Sequence, residues 1–511
     1  MTDWTSGYVA DIGYTYGYYT ELNPQRNKLA FINSGLVPPS NGYHCELGFG
    51  QGLSVNIHSA ASNSDWYATD FNPSQASFAQ TLSLESQSKA KLFDDSFEDF
   101  CRRTDLPDFD SIGMHGIWSW ISDENRTHIV DFIRRKLKVG GALYISYNTQ
   151  PGWAVFAPVR HLMAEHASLM GSAGMGVVNR INEAINFTEK LLSVNPLFAR
   201  ANPSVIERLE KVKSQDRHYL AHEYFNKDWH PMHFTSMAEW LSPAKVSYAC
   251  SANYLDHIDT INFTTEQQSF LKSILDQNLK EGVKDFISNQ QFRRDYWVKG
   301  ARKLSVLEQR DLLNKQLLVL TSPSADVSMK ITSGLGEAEL NQGIYQPILE
   351  ALSDHQVKSI GDIKAKLGST KIDYSQLIQA CMVLVGLGHV SSAQEENTIK
   401  NSVKSCNKLN QTLIEKSRFN ADISWLASPI TGGGIAVNRI QQLFLLAQNR
   451  GEKKTEQWAQ TAWKELAENN QRLIKDGKAI QSEEENLAEL NKQAKEFSEK
   501  RLPILKALGV L

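Results

Sequence analysis

Cysteine is scarce. Five residues (Cys45, Cys101, Cys250, Cys381 and Cys406) are scattered over 511 positions, odd in number and without a CxxC pair. They offer no disulfide framework or zinc ribbon and point to a reducing compartment. A surplus of either charge is also missing, since 54 basic and 57 acidic side chains leave a net charge of −3. That balance carries no footprint for general nucleic-acid binding, although it leaves room for a local basic groove. The most apolar stretch, around residues 381–386, is far too short to span a bilayer. Met1-Thr2-Asp3-Trp4-Thr5 lacks the basic start and apolar run of a signal peptide. The expectation is a cytoplasmic chain with neither a membrane nor a nucleic-acid partner. Internal repeats and low-complexity tracts are absent too. His218 and His222 are spaced to share a helix face, with His230 and His233 following, but no HExxH or cysteine partner accompanies them. No metal is expected there, and a structural or acceptor-gating cluster is the reading. Gly432-Gly433-Gly434 lacks the Lys-Ser/Thr of a phosphate cradle and reads as a loop.

What the chain does have is an alternation of short apolar runs and helical segments over residues 40–150. Strands are expected at 43–49, 66–69, 91–93, 110–115 and 142–147, with Val139-Gly140-Gly141 as a turn before the last. Helices are expected at 52–61, from Pro73 to about 86, and from Asp123-Glu124 to about 137. This alternation implies a parallel sheet covered on both faces. Residues 151–215 read as helical, and a helix at 234–241 before a strand at 246–254 would make them an insertion within the sheet. Residues 261–320 add helix. Phe292-Arg293-Arg294-Asp295 in that stretch suits an interface or fold-locking ion-pair motif, or an ordinary polar helix face. A Ser/Thr-rich stretch at 322–334 marks the best domain boundary. Three short helical patterns and a possible wing then suggest a winged-helix-like module, followed by a mostly helical C-terminus with solvent-facing helices over 457–502. For the module, without a basic surplus, protein contact is the better default than DNA binding.

Glu46-Leu47-Gly48-Phe49-Gly50-Gln51-Gly52 joins the first strand to a helix. Glycines let a ligand approach the backbone, but alone such a loop does not separate nucleotide cofactors. Asp70 ends the second strand, about twenty residues on, where a carboxylate can accept from both ribose hydroxyls. Asp95-Ser96 follows the third strand, where an acceptor can meet an adenine amino group. The six-residue GxGxxG spacing of nicotinamide binders is not met.

This ordered set resembles the class I S-adenosylmethionine methyltransferases, whose E/DxGxGxG motif is matched by Glu46, Gly48, Gly50 and Gly52. The resemblance implies an α/β, Rossmann-like domain binding S-adenosylmethionine through those residues, Asp70, Phe71, Asp95, Ser96 and His115. The segment 109–116 would lie beside the methionine. Further stretches resemble bacterial methyltransferases with a methyltransferase regulatory domain: residues 16–24, His115-Gly116-Ile117-Trp118-Ser119-Trp120, Tyr147-Asn148-Thr149-Gln150-Pro151-Gly152-Trp153, His222-Glu223-Tyr224-Phe225, 292–295 and Leu426-Ala427-Ser428-Pro429. Studied members include rickettsial lysine methyltransferases of outer-membrane proteins. The resemblance implies a homodimer acting on a protein substrate, such as an outer-membrane protein before export. The expected organisation is a methyltransferase core at 1–150, a helical insertion suited to dimerisation at 151–215 and a regulatory domain completing or capping the core at 216–325. The winged-helix-like module then occupies 335–400 and a helical C-terminal domain 401–511.

Candidate catalytic residues are Tyr18, from the aromatic run Tyr14, Tyr16, Tyr18 and Tyr19, together with His115, Trp118 and Tyr147. Tyr19, Asn148 and Trp153 are further candidates for the acceptor channel. Aromatic faces stabilise a cation by about 0.5–2 kcal/mol. A lysine acceptor must be neutral to react, which costs roughly 4–5 kcal/mol at pH 7 from a reference pKa near 10.4. A desolvated aromatic channel lowers that cost. A small-molecule methyltransferase and an inactive methyltransferase-fold binding protein are the competing readings.

Overall fold

Five strands and the helices between them place the ends of the sheet's parallel half around one crevice. A computed structural model describes Tyr8, Gly13 and residues 15–511 apart from 172, 173, 369 and 476. Tyr14 and residues 1–5 therefore lie outside the described residues. The chain runs α1 (Pro24–Asn33), β1 (Tyr43–Leu47), α2 (Leu53–Ala61), β2 (Asp65–Thr69), α3 (Pro73–Ser86), β3 (Lys91–Phe93), α4 (Phe97–Arg102), β4 (Phe109–Met114), α5 (Asp123–Lys136) and β5 (Leu137–Asn148). The helix starts follow local chemistry. Asn72 accepts from the Ser74 amide ahead of Pro73, and Ser122 accepts from the Asn125 amide ahead of α5. Asp123 and Glu124 open α5 and Arg134, Arg135 and Lys136 close it, matching its dipole.

Val139-Gly140-Gly141 does not break the chain as expected. It is a bulge within β5: Phe109 pairs with Leu137 and Ser111 with Ala142, so residues 138–141 stand opposite Asp110 alone. Gly140 takes φ +83° there.

After β5 come α6 (Ala157–Leu169), α7 (Val177–Ser193), α8 (Leu197–Ala201), α9 (Ser204–Ser214), α10 (Arg217–Tyr224) and α11 (Phe234–Leu241). The first five of these share a core of their own around Trp153, Phe156, Met163, Ile181, Leu209 and Leu220. The chain then returns to the sheet as β6 (Val246–Ser251) and β7 (Phe292–Lys299), giving the order β3-β2-β1-β4-β5-β7-β6. β7 is antiparallel to both neighbours and β1–β5 are parallel, as in class I methyltransferases.

The 292–295 motif is thus a strand and not a polar helix face. Buried Arg293 binds Glu281 (3.0 Å), Asp285 (2.7 Å) and Asp295 (2.9 Å), and Tyr147 donates to Asp295 at 2.9 Å. Charges buried this deeply persist only when paired, and here the pairing locks β7 to β5 and the helix Gln277–Ser288.

The Ser/Thr-rich stretch is flanked by one sheet rather than dividing two. β8 (Leu317–Leu320) before it pairs with β11 (Lys358–Ser359) and β12 (Val390–Ser392) after it, and β9 (Lys330–Ser333) and β10 (Gly336–Glu339) form a hairpin in between. Helices Gln342–Leu352, Ile360–Leu367 and Tyr374–Gly386 pack on that sheet in a winged-helix-like arrangement. Beyond it, Glu396–Lys416 lies across α2 and α3, burying Leu409 and Leu413 in one cluster with Leu53, Ile57 and Leu82. The later helices are not wholly solvent-facing, because Trp458, Leu490 and Phe497 join the same core.

Candidate functional site

The loop after β1 turns on three left-handed glycines, Gly48 (φ +74°), Gly50 (+58°) and Gly52 (+70°). A Cβ on Gly48 would stand 2.3 Å from Ile117, and one on Gly52 would stand 2.3 Å from the Cβ of Ala79. The first glycine keeps the loop against the end of β4, and the last lets α2 and α3 close together. Two backbone amides, Gly48 (2.8 Å) and Phe49 (3.3 Å), donate to the Thr69 carbonyl, fastening the loop to β2.

Asp70 is fixed beside it. Its carboxylate accepts from the amides of Gly50 (2.8 Å) and Asn72 (3.0 Å), while burial lifts it to about 6. Glu46 is fully buried and is raised to about 8 by burial and by nearby Asp70, so it is a neutral acid at pH 7. At the next strand, Thr69 Oγ1 donates to the Asp95 carbonyl at 2.5 Å and Arg103 holds the Asp95 carboxylate at 3.1 Å. Ser96 caps α4 by accepting from the Asp99 amide.

These parts border one cavity of about 860 Å³, whose wall includes Gly48, Gly50, Asp70, Phe71, Asp95, Ser96 and His115. Seven of the expected cofactor residues are therefore brought together. Glu46 and Gly52 stand behind the wall and shape it. His115 bonds Tyr144 through Nδ1 (2.7 Å) and stacks on Tyr19 at 3.7 Å. Burial holds its pKa down at about 4, leaving a neutral ring suited to orienting a neighbour.

Three catalytic candidates lie elsewhere. Tyr18 is half-buried between His58 and Trp425, its ring 3.1 Å from where a Cβ on Gly434 would sit. The Gly432–Gly434 stretch is not a loop throughout, because Gly433 and Gly434 open the strand Gly433–Ala436 and there make room for this tyrosine, and it is Tyr19 that reaches the cavity. Trp118 is in the core, with Nε1 donating to Met232 Sδ (3.4 Å) and its carbonyl accepting from Arg126. Tyr147 belongs to the Arg293 network. Trp118 opens the short 3-10 turn Trp118–Trp120 after β4 and Tyr147 lies within β5, and both pack into the core on one side of the sheet rather than onto the cavity wall. Asn148 and Trp153 also lie off the wall, Trp153 within the core of the insertion.

Several cavity residues lie outside the expected site set, Trp120 and Glu223 within the resembling stretches 115–120 and 222–225 but without an expected role. Tyr8 packs edge-on against Phe71 (5.6 Å) and near His222 (5.5 Å), and Trp120 donates from Nε1 to the Glu223 carbonyl at 3.4 Å. Glu223, from α10, lines the wall, and burial raises it to about 7. Of the four histidines, His222 reaches the cavity, whereas His218, His230 and His233 are exposed.

The chain matches the family model described as a predicted methyltransferase regulatory domain over residues 216–299, which includes α10, α11, β6 and β7. It is 39% identical to the protein sll1526 of Synechocystis sp. over 99% of both chains. It is 25% identical to RP789 of Rickettsia prowazekii, covering 76% of this chain and 74% of that one. Among solved structures, PKMT2 from Rickettsia typhi in complex with AdoHcy aligns with a TM-score of 0.69 at 16% identity, over 97% of this chain and 100% of that one. That likeness extends the shared fold through the C-terminal modules. The chain belongs to the family of the Synechocystis protein, bacterial proteins with a class I methyltransferase fold and a methyltransferase regulatory domain.

Proposed function

We propose that this protein binds S-adenosylmethionine in the cavity and methylates lysine side chains of a protein substrate. The observation that carries the reading is the joining, in one cavity, of a nucleotide cradle to an aromatic chamber of Tyr8, Tyr19, Phe71 and Trp120. The cradle suits the cofactor. The left-handed backbone of Gly48 and Gly50 lines the cavity, and Asp70 is held where it can accept from ribose hydroxyls. Asp95 and Ser96 would meet the adenine, and His115 would border the methionine. When bound, S-adenosylmethionine supplies a methyl group on a sulfonium, ready for attack by a neutral nucleophile.

The residues' own task is alignment and exclusion of water. The burial that depresses His115 to about 4 disfavours an ammonium in the same way, and so lowers the cost of a neutral amine. The ring stack of Tyr19 on His115, anchored by Tyr144, gives this end of the cavity a fixed wall. We also propose a homodimer through the insertion, whose outer face presents Phe187, Leu191, Val194, Leu197 and Ile206.

An aromatic chamber would also suit a small aromatic acceptor. Incubation with methyl-labelled cofactor and a cell lysate, followed by mass spectrometry, separates the two. Label on protein lysines is expected. Label confined to small metabolites would reject the protein acceptor, and no transfer to any fraction would favour an inactive binding protein.

A further inference from the structure

Glu223 stands on the wall of the cavity that Gly48, Asp70 and His115 also line, but it comes from the helical insertion. Its backbone carbonyl is tied to Trp120 Nε1, which fixes this turn of α10 against the segment following β4. Its carboxylate has no hydrogen bond or ion pair among the described residues. That sets it apart from the other acids of the wall. Asp70 is committed to the amides of Gly50 and Asn72, Asp95 to Arg103 and Glu98 to Arg102. Glu124 is exposed, and Asp228 lies 3.6 Å from His230. A partly buried carboxylate without a partner is unfavourable until a donor or cation arrives.

The groups sharing its surroundings come from every neighbouring element. Tyr8 belongs to the N-terminal segment, Asp70 to the end of β2, His115 to the end of β4, and Glu124 and His128 to α5. Tyr219, His222 and Tyr224 belong to its own helix, and Lys227 and Asp228 follow it. Lys227 is the one lysine or arginine lining the cavity among the described residues, and it is exposed. The surroundings therefore favour a cation coming from outside.

Resting on the amine-acceptor reading above, we infer that Glu223 receives the acceptor's ammonium group and takes its proton. One N–H bond of the ammonium breaks and an O–H bond forms on the carboxylate. The electron pair stays on nitrogen, which becomes the neutral nucleophile, and the proton passes from Glu223 to solvent when the product departs. The carboxyl's position near 7 matches this exchange at neutral pH.

The test uses two S-adenosylhomocysteine analogues with nitrogen in place of sulfur, one carrying an aminobutyl chain and the other a butyl chain. Binding of each to the full-length protein is measured by calorimetry across pH. The wild type should prefer the amine by about tenfold or more, the scale of a charge-assisted contact, with the preference rising as pH climbs through about 7. Glu223→Gln should lose both the preference and its pH dependence, Glu223→Asp should keep part of each, and all three should bind S-adenosylhomocysteine alike. A preference retained in Glu223→Gln would overturn the role of Glu223 and leave the amine reading standing. No preference in the wild type would overturn both. Loss of S-adenosylhomocysteine binding in Glu223→Gln would mark the residue as structural and also overturn the inference.

Discussion

At the scale of single residues, the two acids of the cofactor cradle behave differently because their partners differ. Asp70 is buried but accepts two amide hydrogens, so it is raised only to about 6; Glu46, with Oε2 buried and unpartnered among the described residues, is raised to about 8. Asp70→Ala should weaken S-adenosylhomocysteine binding by about 2–3 kcal/mol, the value of charge-assisted hydrogen bonds. Wild-type affinity should fall as pH drops through about 6, where the carboxylate takes up a proton. Unchanged affinity by calorimetry in the variant would remove Asp70 from the ribose. Glu46 gives a stability prediction of opposite sign. Its folded pKa lies above its ordinary value, so the folded state binds the extra proton, and the unliganded protein loses stability as pH rises from the ordinary carboxylate range up to about 8. Glu46→Gln should remove that loss. Its melting temperature should match the wild type near pH 5 and exceed it progressively toward pH 8.

At the scale of elements, the first half of the sheet was legible because parallel strands and their glycine turns leave local marks. The strand at 91–93 and the helix from Pro73 to about 86 match the observed elements, and the ends of β1, β2 and β4 carry most of the expected cofactor wall. β7 escaped for a physical reason. Its buried positions include Arg293 and Asp295, which pair with each other along one face of the strand, so the apolar alternation that identifies strands is broken. The same holds for Trp118 and Tyr147: aromatic residues near strand ends are equally good core, and only the packing decides. Tyr8 arrives from a distant element with no spacing to announce it, and Glu223, although in the resembling stretch 222–225, is joined to the cavity only by the fold. The glycine turn offers an element-level test. Gly52→Ala adds a left-handed alanine whose Cβ would stand 2.3 Å from that of Ala79, and should cost about 2–4 kcal/mol of stability. Introduced into an Ala79→Gly background, the same substitution should cost about 1–3 kcal/mol less. Equal costs in both backgrounds by chemical denaturation would show that α3 gives way and the α2–α3 approach is not what requires glycine.

At the scale of the whole molecule, the sheet is enclosed from several directions. The N-terminal segment and the insertion meet over the cradle, through Tyr8 on Phe71 and beside His222, and the C-terminal helices cover α2 and α3 on the other side. The outer surface of the insertion is different. Val194 and Leu197 are each 74% exposed and Phe187, Leu191 and Ile206 are exposed as well, while the inward residues Ile181, Ile185 and Leu209 already fill the insertion's core. An apolar stripe with its opposite face satisfied is the arrangement that a second subunit buries. A symmetric dimer through α7 to α9 would brace α10, and with it Glu223, from outside. Sedimentation of the wild type should show a dimer at micromolar concentration. Val194→Glu with Leu197→Glu should give a monomer that still binds S-adenosylhomocysteine, because neither residue touches the cradle. A wild-type monomer, or a double variant that remains dimeric, would remove this face from the interface. A monomer with weakened amine-analogue binding but intact S-adenosylhomocysteine binding would show that the acceptor side of the cavity depends on assembly.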